Sequence, residues 1–132
     1  MGLLYVQETK AIYEACSEVH NKIGCGFGEK VYQDAFEVEL KLRGIPYERE
    51  KHFEVVYKGI HLQHDFYCDF VCYDSIIVEF KAADSLPKWK SQVLNYLKAS
   101  GKQLGVIYYF NEESLRQEYV RLSDRIKTSH GK

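Results

Sequence analysis

Residues 104–110 constrain the fold more than any other segment, because they are apolar almost throughout. A strand with apolar side chains on both faces has to be covered by other elements on both sides. This strand follows a helical segment, and three strand-like segments joined by short turns precede that helix. Hairpins that feed a crossover helix and a buried strand predict a central mixed β-sheet flanked by α-helices, and therefore an α/β fold.

Hydrophobic periodicity and turn residues give the order of the other elements. Gly44 and Gly101 are predicted to stop the second and third helices, and Ser85 to cap the third. Residues 111–127 are ambiguous, since residues 118–122 fit either a last strand or part of a short helix. In chain order we predict helices at about 5–21 and 29–43, strands at 52–57, 60–72 and 76–81, a helix that ends at about 100, and the strand at 104–110.

Apolar stripes indicate which faces of these elements are buried. A helix packed on a core repeats its apolar residues at spacings of three and four. In the first helix this stripe consists of Thr9, Ile12, Cys16, Val19 and Ile23, and in the second of Val31, Ala35, Val38 and Leu42. In strands the alternation is strict. It predicts one face made of Phe66, Cys68, Phe70 and Cys72, and another that carries Asp65 and Asp69.

Length and charge limit the class of protein. The 132 residues predict a single domain, 1–132. The net charge of −1 counts against a uniformly basic protein, but not against a local basic groove or a site at which a metal supplies positive charge. No apolar run approaches the roughly 20 residues of a membrane helix, and no secretory signal pattern is seen. We therefore expect a cytoplasmic protein without membrane association.

Four cysteines allow two interpretations. The spacing of His64, Cys68 and Cys72 would suit a metal site on a helix. In a strand, however, residues four apart are separated by roughly 13 Å, which is too far to share one zinc ion. We therefore interpret the cysteines as small buried apolar residues rather than as disulfide partners or metal ligands.

The strand at 76–81 carries a carboxylate and an ammonium group on one face, at Glu79 and Lys81. If residues 73–75 form a three-residue turn, antiparallel pairing sets Cys72 opposite Ile76 and Asp69 opposite Glu79. Opposed side chains have Cβ atoms about 5 Å apart, and two carboxylates at that distance repel each other unless a cation lies between them. A two-residue turn would move Asp69 to the other face, so the hypothesis of a metal site depends on this turn.

These residues resemble a known signature. Asp69, followed after nine residues by Glu79-Phe80-Lys81, resembles the D…ExK signature of the PD-(D/E)XK nuclease superfamily. This resemblance implies a restriction-endonuclease-like core. It also implies that Asp69, Glu79 and the backbone carbonyl of Phe80 hold a divalent metal, Mg²⁺ or Mn²⁺. Lys81 would orient or help deprotonate the attacking water and would offset charge on the phosphate.

Two further motifs extend the resemblance over about residues 5–122. Gly26, Glu29 and Tyr32 match the signature of one branch, the GxxExxY proteins, and Gln92 and Tyr96 resemble the QxxxY helix motif of RecB-like nucleases. The resemblance implies that Glu29 adds a carboxylate to the metal or to its water shell. It implies that Gln92 and Tyr96 position Lys81 or the substrate phosphate.

Taken together, the motifs predict a metal-dependent nuclease that hydrolyses phosphodiester bonds in DNA, or alternatively in RNA. The other hypothesis is a nucleic-acid-binding or protein-interaction module that keeps the nuclease fold without turnover; the small size and near-neutral charge favour it. Whether the protein forms a homodimer or needs a partner protein stays open.

Each candidate residue also has a purely structural interpretation. Glu29 could be an acidic residue that the helix dipole favours in a first turn. Glu79 and Lys81 could form an exposed pair, Gln92 could lie on the surface, and Tyr96 could belong to the core. Trp89 could be a packing residue or a base-stacking platform. Four lysines could form a solvated helix face or follow a phosphate backbone, namely Lys88, Lys90, Lys98 and Lys102.

Overall fold

The computed structural model describes residues 5–122 of the chain. The predicted order of elements is confirmed, and the ambiguous segment near the end contains a strand; residues 123–127 of that segment lie outside the described part. The elements are α1 (Val6–Ile23), α2 (Glu29–Arg43), β1 (Tyr47–Tyr57), β2 (Ile60–Cys72), β3 (Ile76–Lys81), α3 (Pro87–Ser100), β4 (Leu104–Tyr109) and β5 (Arg116–Arg121). None of the helices in this part of the chain is long and apolar enough to span a membrane.

The five strands form one mixed sheet in the order β1-β2-β3-β4-β5. β3 and β4 are parallel, because α3 connects them as a crossover, and the other neighbours are antiparallel. Cys72 pairs with Ile76, so the turn between β2 and β3 has three residues, and the predicted register is confirmed for residues 70–72 of β2. Two residues of this turn, Tyr73 and Asp74, have positive φ values of 55° and 57°.

Helices cover both faces of the sheet, as the buried strand β4 requires. On one face, α1 and α2 pack over Ile76, Val78 and Phe80. On the other face, α3 packs over a second cluster that includes Ile77. The alternation predicted for β3 is therefore confirmed, and all six residues of β4 are buried.

The predicted apolar stripe of α2 is wrong. Val31, Val38 and Leu42 are exposed, with Leu42 at 75%. The buried side of α2 instead carries Tyr32, Gln33, Phe36 and Leu40. Phe36 packs against Phe70 and Phe80 at ring-centroid distances of 4.9 and 5.0 Å. The aromatic side chains offer more apolar area to the core than the valines do, and this decides which face of the helix turns inward.

The alternation predicted for β2 fails next to Asp69. Phe70 and Cys72 pack in the first cluster, whereas Phe66 and Cys68 pack with α3 in the second. The regular pairing of β2 is interrupted here, because Glu50, the residue of β1 that would oppose Asp69, has a φ of 52° and is not among the paired residues. An irregular backbone at this point exchanges the two faces of the strand.

Smaller differences concern helix caps and cysteines. The N-cap of α3 is Leu86 rather than Ser85, and it makes no side-chain capping bond. Gly44 and Gly101 end their helices in the left-handed conformation, as predicted. All four cysteines are free; three are buried, in agreement with their interpretation as small apolar residues, but Cys25 is exposed.

Candidate active site

The site forms where β2 separates from β3. The strands pair from Cys72↔Ile76 to Phe70↔Val78. Beyond this point side chains replace backbone carbonyls as acceptors. The backbone N–H of Asp69 donates to Oε2 of Glu79 at 2.6 Å, and the backbone N–H of Phe80 donates to Oδ2 of Asp69 at 2.8 Å. Each carboxylate therefore accepts a hydrogen bond from the backbone of the other strand, which fixes both side chains at the end of the ladder.

Both carboxyl groups lie in surroundings that oppose ionisation. Glu79 is only 3% exposed. Burial raises its pKa to about 8, and repulsion from Asp69 contributes in the same direction. Burial also raises the pKa of Asp69, and Glu29 adds to this effect, whereas the hydrogen bond from Phe80 lowers it. Burial of Glu79 excludes the interpretation of Glu79 and Lys81 as an exposed surface pair.

Lys81 is held by α3. Its Nζ donates to Oε1 of Gln92 at 3.2 Å and lies 4.2 Å from the ring centroid of Trp89. Nζ of Lys88 lies 4.7 Å from the same ring. Trp89 is therefore more than a packing residue, because its indole holds the Lys81 ammonium by a cation–π contact. No sequence motif indicated this role of Trp89.

Tyr96 lies one helical turn after Gln92 and is mostly buried. Its ring stacks on Phe66 of β2 at a centroid distance of 4.8 Å. Burial raises the pKa of its hydroxyl, and Glu79 is the largest electrostatic contributor. Tyr96 thus belongs to the core, in agreement with its structural interpretation. It also lies close enough to the acidic pair for the charge of Glu79 to raise its pKa.

Glu29 reaches the site from the first turn of α2. Its Oε2 accepts a hydrogen bond of 3.4 Å from the backbone N–H of Ala82, directly after Lys81. The neighbouring Lys30 lies near enough to lower the pKa of Asp69. Nζ of Lys30 also contacts Oε2 of Glu50 at 2.8 Å.

Tyr32 fixes the loop that leads to Glu29. Its hydroxyl donates to the carbonyl of Gly24 at 2.7 Å and accepts from the N–H of Phe27 at 3.3 Å, while its ring stacks on Phe110. Gly26 in this loop has a φ of 107°, a conformation that favours glycine. The glycines and Tyr32 therefore determine where α2 begins, and thereby where Glu29 lies.

The comparison with family models decides the identity of this arrangement. Residues 6–122 match the model described as the PD-(D/E)XK nuclease superfamily. The chain belongs to the PD-(D/E)XK nuclease superfamily. Membership supports a nuclease activity and a nucleic-acid substrate, and nucleases of this superfamily generally use divalent metals.

Solved structures show the same fold. The crystal structure of SSO0001 has 15% sequence identity and a TM-score of 0.56, and the match covers 95% of this chain and 72% of that one. The crystal structure of an alkaline exonuclease (LHK-Exo) from Laribacter hongkongensis has 11% identity and a TM-score of 0.53, with 97% and 77% covered. These similarities confirm the predicted restriction-endonuclease-like architecture. No curated protein is significantly similar in sequence.

The donor chemistry of this PD-(D/E)XK chain fits a hard divalent cation, because Asp69 and Glu79 are neighbouring carboxyl groups whose pKa values are both raised, and such cations prefer carboxylate oxygens as ligands. Within residues 5–122, however, no three His, Cys, Asp or Glu side chains are close enough together to form a metal site. Whether Glu29 binds the metal directly or belongs to its water shell therefore stays a prediction. Asp69 and Glu79 come together, but Glu29 lies beside them at Ala82.

Proposed function

We propose that this chain is a divalent-metal-dependent nuclease that hydrolyses phosphodiester bonds in DNA, with RNA as the alternative substrate. The reciprocal hydrogen bonding of Asp69 and Glu79 carries this proposal. It places two carboxylates side by side at the D…ExK positions, with Lys81 held nearby. Two buried carboxylates in contact, such as Asp69 and Glu79, need an explanation because they repel each other. A cation-binding role explains them and also accounts for Lys81 nearby.

The side chains of Asp69 and Glu79 and the carbonyl of Phe80 would hold Mg²⁺ or Mn²⁺. When bound, the ion supplies a nucleophilic hydroxide at neutral pH and positive charge for the phosphate. Lys81 would orient the attacking water and offset the charge that develops on the phosphate. Its bond to Gln92 keeps the ammonium on the α3 side of the site. Tyr96 supports the helix that carries Gln92.

Glu29 is assigned to the water shell of the metal rather than to its direct ligands. The hydrogen bond of 3.4 Å from the N–H of Ala82 favours this role, because it holds the Glu29 carboxylate at the residue that follows β3, while the paired acids lie on β2 and β3. We further propose that the chain belongs to the GxxExxY branch of the superfamily. The support is structural: Gly26 and Tyr32 shape the loop before α2, and this loop determines the position of Glu29.

The decisive experiment measures cleavage. Wild-type protein is incubated with single-stranded, duplex and branched DNA, and with single-stranded RNA, in Mg²⁺ or Mn²⁺ and in EDTA. We expect cleavage that requires the metal and falls by about a hundredfold or more in Glu79→Gln, since the loss removes electrostatic stabilisation at the reacting phosphate. Glu14→Gln, which removes one exposed carboxylate from α1, is the matched control.

Isothermal calorimetry tests the metal site without relying on turnover. Wild type and Glu14→Gln should bind Mn²⁺, and Glu79→Gln should not. Equal binding by all three proteins would refute the assignment of the ligands. Absence of metal-dependent cleavage on every substrate would favour the second hypothesis, a non-catalytic nucleic-acid-binding or interaction module. The net charge of −1 is the observation that supports this second hypothesis.

A further inference from the structure

A groove of about 550 Å³ lies between the β1–β2 hairpin and α3. It exists because β3 pairs only with residues 70–72 of β2, so the rest of the hairpin extends beyond the sheet. Val55, Val56 and Phe66 line its hairpin side. On the α3 side the lining includes Gln92, Asn95 and Lys98.

The groove opens directly from the candidate active site. Gln92, which holds Lys81, is one of its lining residues, and so is Tyr96. Gln92, Asn95, Tyr96 and Ala99 follow one another at helical spacing, so they form one continuous face of α3. A substrate strand whose phosphate lies at Lys81 would therefore meet this groove as soon as it leaves the site.

The lining suits an unpaired nucleotide. Val55, Val56 and Phe66 form an apolar wall against which the flat face of a base can lie. Asn95 is exposed and offers amide groups for a base edge, and Lys98 is exposed and offers a cation for a phosphate. Paired bases in a duplex are stacked on one another, so their faces are not available to such a wall.

The dimensions agree with a short stretch of single strand. From Gln92 to Ala99 the helix rises about 10 Å. Successive nucleotides are about 3.4 Å apart in a stacked duplex strand and farther apart in an extended single strand, so this length accommodates at most about three nucleotides. Glu54 is the acidic residue of the lining, and its Oε1 lies 3.3 Å from Nδ1 of His61, which offsets its charge when the ring is protonated.

We propose that this groove binds unpaired nucleotides of the substrate strand next to the bond that is cleaved, so that the protein acts on single-stranded nucleic acid or on frayed ends. The inference rests on the proposed nuclease function, since the groove continues from Lys81 and Gln92. It goes beyond that function because it names the structural form of the substrate and the surface that selects it.

The test compares two valines of nearly equal exposure. Val56 lies in the groove and is 58% exposed; Val38 lies on the outer side of α2 and is 56% exposed. Val56→Glu and Val38→Glu add the same charge, so any difference between them reports the location of the binding strand. Both are made in the Glu79→Gln background, in EDTA, to prevent cleavage. Binding of a fluorescein-labelled (dT)₈ strand and of the corresponding blunt duplex is followed by fluorescence anisotropy.

We expect (dT)₈ to bind more tightly than the duplex, and Val56→Glu to weaken (dT)₈ binding about tenfold, while Val38→Glu stays within about twofold of the background. Lys98→Ala should also lower the slope of log K against log salt by about 0.7, and Lys41→Ala on α2 should not. Equal effects of the two glutamates, or tighter binding of the duplex, would overturn the proposal.

The two proposals can fail separately. Metal-dependent cleavage by the wild type together with equal effects of the two glutamates would retain the nuclease and reject the groove. Groove-dependent binding of (dT)₈ without cleavage of any substrate would reject the nuclease and retain a single-strand-binding surface.

Discussion

Replacing Glu79 by Gln should stabilise the metal-free protein, although the side chain is buried and hydrogen-bonded. Glutamine has nearly the same shape, and its side-chain oxygen can still accept the bond from the N–H of Asp69. What disappears is a carboxylate that is 3% exposed and repelled by Asp69. Active sites often retain charges that cost stability, and this pair is expected to be such a case.

The magnitude follows from the pKa of Glu79, which is 4.5 ordinarily and about 8 in the folded protein. Because folding raises the pKa of Glu79, the free energy of unfolding is not reduced by this residue below about pH 4.5. Ionisation of Glu79 lowers it as the pH rises through 8. Each pH unit in this window corresponds to about 1.4 kcal/mol. At pH 7, about 2.5 pH units above the ordinary value, the loss is about 3 kcal/mol, and above pH 8 it approaches about 5 kcal/mol.

Urea unfolding in EDTA at pH 5, 6, 7 and 8 measures this effect, with circular dichroism as the probe. The difference in free energy of unfolding between Glu79→Gln and wild type should grow with pH by about 1 kcal/mol or more per unit. Glu14→Gln should show no such trend. A difference that does not change with pH, or a Glu79→Gln protein that is less stable than wild type at pH 8, would refute the reasoning.

Two further predictions concern packing. A Cβ added at Gly105 would lie 2.5 Å from Cγ1 of Val93, so Gly105→Ala should lower the free energy of unfolding by about 1–3 kcal/mol. In urea titrations, the double variant with Gly105→Ala and Val93→Ala should lose less free energy of unfolding than the sum of the two single variants. Strict additivity would contradict the contact. Phe36→Ala should cost about 3–5 kcal/mol, whereas Leu42→Ala should stay within about 0.5 kcal/mol. A loss from Leu42→Ala as large as the loss from Phe36→Ala would contradict the observed orientation of α2.

The sequence predicts the order of elements well, because the residues that end its helices and form its turns are clearly marked. Gly44 and Gly101 end their helices as expected. The three-residue turn after Cys72 fixes the register that brings Asp69 beside Glu79. Both features are local: they depend on backbone conformations that neighbouring residues permit, and such preferences can be read without knowledge of the rest of the fold.

The buried face of α2 could not be derived in the same way. Two stripes with helical spacing coexist on this helix, one through Val31, Val38 and Leu42 and the other through Tyr32 and Phe36. Hydrophobic periodicity is compatible with either stripe and does not show which of them is buried. The choice depends on which rings find partners, and the partners of Phe36 come from β2 and β3, far away in the sequence.

The contact of Glu29 with Ala82 is equally non-local, since 53 residues separate the two. A family signature can indicate that Glu29 matters, but the distance at which it lies from the acidic pair depends on how α2 packs on the sheet. For the same reason the role of Trp89 could not be foreseen. Its contact with Lys81 exists because the end of β3 and the first turn of α3 face each other.

The separation of β2 from β3 would allow the acidic pair to hold the proposed metal without disrupting the fold. In a regular ladder the N–H of Phe80 would donate to a carbonyl of β2, but here it donates to Asp69. The backbone group stays satisfied, and the bond is strengthened by the negative charge of the acceptor. A carboxylate has about four acceptor positions, so one bond from the backbone leaves positions free for a cation. Glu79→Gln keeps an acceptor for the N–H of Asp69 and removes the charge. For this reason it separates the structural role of Glu79 from its proposed role in binding metal.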